Sequence, residues 1–104
     1  MSIKQFATGD SVEFVVSGNI DGALSNEIEV EILAAVKKGA NTIYVNLSEA
    51  NYICSAGIRV LLQYYRQLKA QKKTLWVTRP STEVDAILEM TGFKELIVEG
   101  AQKK

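Results

Sequence analysis

Residues 41–68 read NTIYVNLSEANYICSAGIRVLLQYYRQL. The run 42–47 is short, β-branched and aromatic, the pattern of a buried strand. From Ile58 onward the apolar side chains fall at Ile58, Leu61, Leu62, Tyr65 and Leu68, steps of three and four that gather them on one helical face. The spacing predicts a strand handed over to an amphipathic helix through Cys54-Ser55-Ala56-Gly57. Ser55 falls where that helix opens. Its hydroxyl can accept a bond from a first-turn N–H and still lie near the surface, within reach of a partner, so it reads as either a cap or a switch. Within the strand, Ile43-Tyr44-Val45 is continuously apolar rather than alternating. That is the mark of a central parallel strand covered on both faces.

On the N-terminal side, 3–7 and 11–17 are separated by Thr8-Gly9-Asp10, and Val12, Phe14 and Val16 alternate with Glu13, Val15 and Ser17, as in a hairpin. Gly18 interrupts this alternation. Asp21 then caps an expected helix whose apolar positions are Leu24, Ile28, Ile32, Leu33 and Val36, and Gly39 ends it. Glu27, Glu29 and Glu31 read as its solvated surface, since only Glu27 and Glu31 share a face. On the C-terminal side, Leu75-Trp76-Val77 forms another short apolar strand. A third helix opens at Ser81, with Val84, Ile87, Leu88 and Thr91 inward and Thr91-Gly92-Phe93 as its stop. Leu96-Ile97-Val98 is expected as an edge strand. The order β-β-α-β-α-β-α-β implies an α/β fold, a mixed sheet with a parallel core and amphipathic crossover helices. One domain over 1–100 and a short loose tail over 101–104 follow.

Twelve basic and twelve acidic side chains among 104 residues cancel, leaving no global field to hold nucleic acid or an anionic membrane. Arg66, Lys69, Lys72 and Lys73 cluster where a helix C-terminus favours cations; a further pair, Lys103 and Lys104, lies in the tail. Aromatic and basic residues interleave only at Tyr64-Tyr65-Arg66, so nucleic acid is not expected as a partner. One cysteine and no histidine exclude an intramolecular disulfide and an ordinary zinc site, and fit a reducing cytoplasm. No stretch has the length of a signal peptide or a membrane span, so a soluble protein without direct membrane insertion is expected. A docking surface would still let it serve a membrane complex.

Acyl-transfer catalysis would need a base beside Ser55, and no histidine is present to act as one. Phosphate-cradling glycine motifs are missing, so neither an enzyme nor a bound cofactor is expected. Cys54 precedes the helix N-terminus, which favours a thiolate. The end of a central strand is also a natural place for a small buried cysteine, and that inert reading is the expected one. Gly57 has two readings. It allows close packing of helix on sheet, and it leaves the helix opening uncovered for an approaching partner.

Asn46-Leu47-Ser48, Tyr52-Ile53-Cys54-Ser55-Ala56-Gly57-Ile58, Leu61-Leu62, Arg79-Pro80-Ser81 and Leu88-Glu89-Met90-Thr91-Gly92-Phe93, with Gly18-Asn19-Ile20-Asp21 before them, together resemble the STAS domain family in order and spacing. Within that family the chain is similar to single-domain anti-sigma factor antagonists. The family's helix-opening motif is usually Asp-Ser-Ser/Thr/Ala-Gly, with the first serine phosphorylated by a partner anti-sigma kinase. By resemblance that phosphoacceptor is Ser55. Cys54 and Asn46 stand where the family usually has Asp, so two carboxylates are missing from the motif. The resemblance implies partner switching: the unmodified protein binds an anti-sigma factor that is a serine-protein kinase, phosphorylation of Ser55 releases it, and a cognate phosphatase can reset the cycle. The implied partner surface comprises Asn19, Ile20, Asp21, Ile53, Cys54, Ser55, Ala56, Gly57, Ile58, Arg59 and Leu62. The alternative is a constitutive STAS regulatory subunit of a transporter, for example of lipid ABC transport, or of another multiprotein complex.

Overall fold

The computed structural model describes residues 2–100. Strands β1 (Ser2–Thr8) and β2 (Ser11–Ile20) are followed by helix α1 (Gly22–Lys37), strands β3 (Thr42–Asn46) and β4 (Ala50–Ile53), and helix α2 (Ser55–Ala70). Strand β5 (Thr74–Thr78), helix α3 (Thr82–Thr91) and the single-turn α4 (Lys94–Ile97) complete the order. The sheet runs β1-β2-β3-β5, with β4 also paired to β2; β1 and β2 are antiparallel and the other pairs parallel. This is the mixed sheet with a parallel core that the element order implied. The tail expected over 101–104 lies outside the described residues.

One face of the sheet, carrying Phe14, Val16, Ile43, Val45, Leu75 and Val77, packs on Leu24, Ile28 and Ile32 of α1, Leu61 and Leu68 of α2, and Val84 and Leu88 of α3. Removal of this apolar surface from water is the main driving force for the fold. The helix signals work as the sequence predicts. Asp21 caps α1 by accepting the Leu24 N–H at 2.9 Å, Ser81 caps α3 by accepting the Val84 N–H at 3.2 Å, and Gly92 ends α3 with φ 81°.

Several details differ from the sequence reading. β3 is interior to the sheet but covered on one face only: Tyr44 is half-buried, in register with half-buried Glu13 and Trp76 on the opposite face. On α1, Leu33 is 42% exposed, whereas Ser25 and Ala35 are buried. Glu29 is not a solvated surface residue, because the buried Tyr64 donates to its Oε2 at 2.6 Å and ties α2 to α1. Tyr64 thus takes the inner place on α2, while Tyr65 tilts against Trp76 at 6.2 Å. The expected edge strand at 96–98 is a correction. The Ile97 N–H donates to the Phe93 carbonyl and the Val98 N–H to the Lys94 carbonyl, so these residues close a helical turn that buries Ile97; only Val98 meets the sheet, in an isolated bridge to Val77. An apolar triplet satisfies either conformation, and the position of β5 selects between them.

β4 is the element the sequence reading lacks. β3 pairs with the first half of β2, the chain turns at 47–49, and β4 then returns to the same edge of β2 at Gly18–Ile20 across a register shift at Gly18/Asn19. Gly18, expected to break the pattern, is instead inside β2 with φ 95°. Asn46 fixes the corner: its Oδ1 accepts the Ser48 N–H at 2.9 Å and its Nδ2 donates to Glu13 Oε2 at 3.0 Å. The Gly18 N–H donates to the Glu49 carbonyl at 3.0 Å and the Ser17 hydroxyl to Glu49 Oε1 at 2.6 Å.

An Asn46→Asp substitution is expected to cost about 1–2 kcal/mol at neutral pH, because the donor to Glu13 is lost and two carboxylates then face each other in a buried position. Like-charge repulsion raises the pKa of such a pair in the folded state. The cost is therefore full above that raised value and fades as pH falls through it. Urea titrations of both proteins at neutral and mildly acidic pH check this; a difference that does not shrink in acid contradicts it.

Candidate functional site

The first turn of α2 is positioned by the sheet below it. Ile53 at the end of β4 pairs with Ile20 at the end of β2, and the Cys54 N–H donates to the Ile20 carbonyl at 3.0 Å. This brings the β2–α1 corner, with exposed Asn19 and half-buried Asp21, beside the opening of α2. The Ile58 N–H donates to the Cys54 carbonyl, and Cys54 has extended backbone angles, so Cys54 is the N-cap. Ser55 is accordingly the first helical residue rather than the cap. Its side chain is exposed and makes no hydrogen bond among the described residues.

Cys54 is half-buried, with its Sγ 3.8 Å from the Ser25 hydroxyl. Burial pushes its thiol up, but the Gly57 N–H, the Ser25 hydroxyl and the Ala56 N–H favour the thiolate and together bring it below its ordinary value. In burial this departs from expectation, since Cys54 is half-buried rather than fully buried. Gly57 is decided in favour of packing: a Cβ there would stand 2.8 Å from Ile53 Cγ1, 3.0 Å from Ile20 Cγ2 and 3.1 Å from Ser25 Oγ. The glycine is buried against the sheet, so it does not uncover the helix opening to an incoming partner.

The residues singled out by the sequence thus separate into two layers. Ile20, Ile53 and Gly57 lie beneath, shaping the surface without reaching it. Ser55 and Arg59 are exposed above them, Ala56 is half-buried, and Ile58 and Leu62 show only their outer edges. Ser55, Ile58, Arg59 and Leu62 form one wall of a shallow groove of about 270 Å³ whose other wall is Thr91 and Phe93. Asn19 and Asp21 do not line that groove. Thr91-Gly92-Phe93 was read from sequence only as a helix stop. That Thr91 and Phe93 also form a groove wall follows from where α3 ends, and no local sequence signal announces it. A larger open cleft of about 510 Å³ lies on the far face of the sheet among Phe6, Glu13, Tyr44, Thr78 and Arg79, and holds none of these residues.

Such an arrangement suits recognition more than chemistry. Apolar Ile58, Leu62 and Phe93 offer burial, Arg59 offers charge, and Ser55 offers a modifiable hydroxyl at the positive end of a helix. Among the described residues no helix is long and apolar enough to cross a membrane.

Comparison with known proteins places this geometry in context. A family model described as the STAS domain matches residues 4–103. BtrV of Bordetella bronchiseptica, assigned by its name to the anti-sigma factor antagonists, is 31% identical over 78 residues, covering 75% of this chain and 67% of that protein. The anti-sigma-B factor antagonist of Staphylococcus epidermidis is 24% identical over 97 residues, covering 93% and 90%. In structure the chain is similar to the anti-sigma factor antagonist SpoIIAA of Bacillus. The unphosphorylated form gives a TM-score of 0.81 at 21% identity, covering 93% of this chain and 86% of that one. The phosphorylated form gives 0.73 at 21%, covering 93% and 89%. At this identity the structural likeness is one of fold.

Proposed function

Because the chain belongs to the STAS domain family, we propose that it is an anti-sigma factor antagonist that works by partner switching, with Ser55 as the phosphoacceptor. The observation that carries this reading is the placement of Ser55: exposed, free of hydrogen bonds among the described residues, at the first position of α2 and on the rim of an apolar groove. The names of the sequence relatives support the antagonist role over that of a constitutive transporter subunit. The partner is an anti-sigma factor with serine-kinase activity, it binds in the cytoplasm, and a phosphatase resets the cycle.

In the modifying step Ser55 Oγ attacks the γ-phosphorus of ATP bound to the kinase. The Oγ–P bond forms, the bond to ADP breaks, and the hydroxyl proton passes to a kinase base or to water. The product carries about −1.5 to −2 charge. Inside the domain the N-terminus of α2 accommodates that charge, and the first turn holds no acidic residue to oppose it, so the fold need not change. A partner surface closed over the groove has no such accommodation. Burying a dianion against apolar or acidic groups carries a large desolvation cost, and the complex dissociates.

The test is incubation with a purified anti-sigma factor kinase that binds the unmodified protein, Mg²⁺ and ATP, followed by fragmentation of tryptic peptide 39–59, which resolves Ser55 from Ser48. Phosphate on Ser55 with loss of the complex is the expected result. A stable complex that never gains phosphate on Ser55 sinks the switch and leaves a constitutive subunit.

A further inference from the structure

Ser55 and Arg59 are one helical turn apart on α2, both exposed, and both line the same groove. Residues four apart on a helix hold their Cβ atoms about 6 Å from each other, and an anion N-terminal to a cation at this spacing is the favourable orientation. Among the described residues Arg59 is the only charged side chain lining the groove, whose other wall contributes Thr91 and Phe93. It makes no hydrogen bond or ion pair among the described residues. Lys94, the cation at the start of α4, is held by Asp85 at 3.0 Å and Glu89 at 3.7 Å. The first turn of α2 contains no acidic residue to compete for the guanidinium.

Resting on the reading of Ser55 as the phosphoacceptor, we infer that Arg59 is the internal receiver of that phosphate, and that its capture is part of the switch. A guanidinium matches a phosphate with two parallel N–H···O bonds, a geometry that a lysine ammonium does not reproduce. In the unmodified protein the guanidinium is free for a partner, and the chemistry that answers it is a carboxylate beside an apolar side chain seated between Ile58, Leu62 and Phe93. Phosphorylation then acts twice: it places a dianion where that carboxylate would approach, and it folds Arg59 back onto its own helix.

The experiment uses the full chain with phosphoserine installed at position 55 during translation, so that no kinase is required, in three versions: Arg59 retained, R59K and R59Q. Because Arg59 is exposed, R59Q should fold, and a thermal melt verifies it. The second ionisation of the phosphate is followed by ³¹P NMR against pH. The helix end acts equally in all three, so the difference between versions isolates the side chain at 59. With Arg59 the midpoint should lie about half a pH unit below that of R59Q, with R59K between them. The ratio of partner affinities, unmodified over phosphorylated, should also narrow in R59Q. Coincident midpoints for Arg59 and R59Q overturn the inference, even if the phosphorylated protein still releases its partner. Separated midpoints in a phosphorylated protein that binds its partner as tightly as the unmodified one uphold the capture and reject Ser55 as the release switch.

Discussion

Ser55→Asp is expected to weaken binding to the proposed anti-sigma kinase partner at least tenfold, equivalent to about 1.4 kcal/mol, while Ser55→Ala binds normally and is not released by ATP. The aspartate supplies a permanent negative charge on the groove rim; the alanine removes the hydroxyl on which phosphate would be carried. Neither change should disturb the domain. Ser55 is the first helical residue and not the cap, so alanine forfeits no capping bond, and a carboxylate in the first turn is favoured by the helix dipole. The two variants should therefore melt within about 1 kcal/mol of the parent protein, with any displacement of Ser55→Asp upward. Isothermal titration of each variant against the kinase decides the matter. Equal affinities for both would take Ser55 out of the interface, whatever its phosphorylation state.

Gly57→Val is expected to lower stability by about 2–3 kcal/mol, a large share of the 5–15 kcal/mol typical of a domain. The atoms a Cβ would meet belong to Ile53 and Ile20, which are 1% and 0% exposed and paired between β4 and β2. Neither can swing aside. The first turn of α2 must lift away from the sheet, and Ser55 and the groove wall move with it. Gly57→Ala shares the steric conflict but gains about 1 kcal/mol in helix propensity, so its net loss should be near 1 kcal/mol. Urea denaturation separates the cases, with the midpoint falling in the order glycine, alanine, valine and the slope unchanged. A valine variant as stable as the parent would mean that Gly57 is not the packing contact that seats α2 on the sheet.

The contrast between Ser55 and Gly57 shows how far the sequence alone reaches in this protein. Local patterns determine the elements: alternation in β2 and steps of three and four in α2 give the strand and the helix, though not the end of β2 nor the inward Tyr64, while the caps at Asp21 and Ser81 and the left-handed stop at Gly92 are found where expected. The same local order and spacing disclose the family and bring Ser55 to the opening of α2. What depends on a partner distant in the chain was not legible. The existence of β4 is decided by the free edge of β2 beyond its pairing with β3, and its four residues carry too short a pattern to declare themselves. The cap falls on Cys54 because its N–H and its carbonyl are taken by Ile20 and Ile58, and a thiol is not a residue that capping preferences would select. Gly57 had two local readings, and only Ile20, Ile53 and Ser25, brought in from β2, β4 and α1, choose between them. The groove, finally, joins the first two turns of α2 to the end of α3, some thirty residues later, because burial of Val84 and Leu88 seats α3 on the core and leaves Thr91 and Phe93 facing Ser55 and Arg59. Hydrogen bonding and side-chain periodicity act over one or two turns and are written in the sequence; burial is shared among all elements at once, and only the assembled core settles which side of each remains outside.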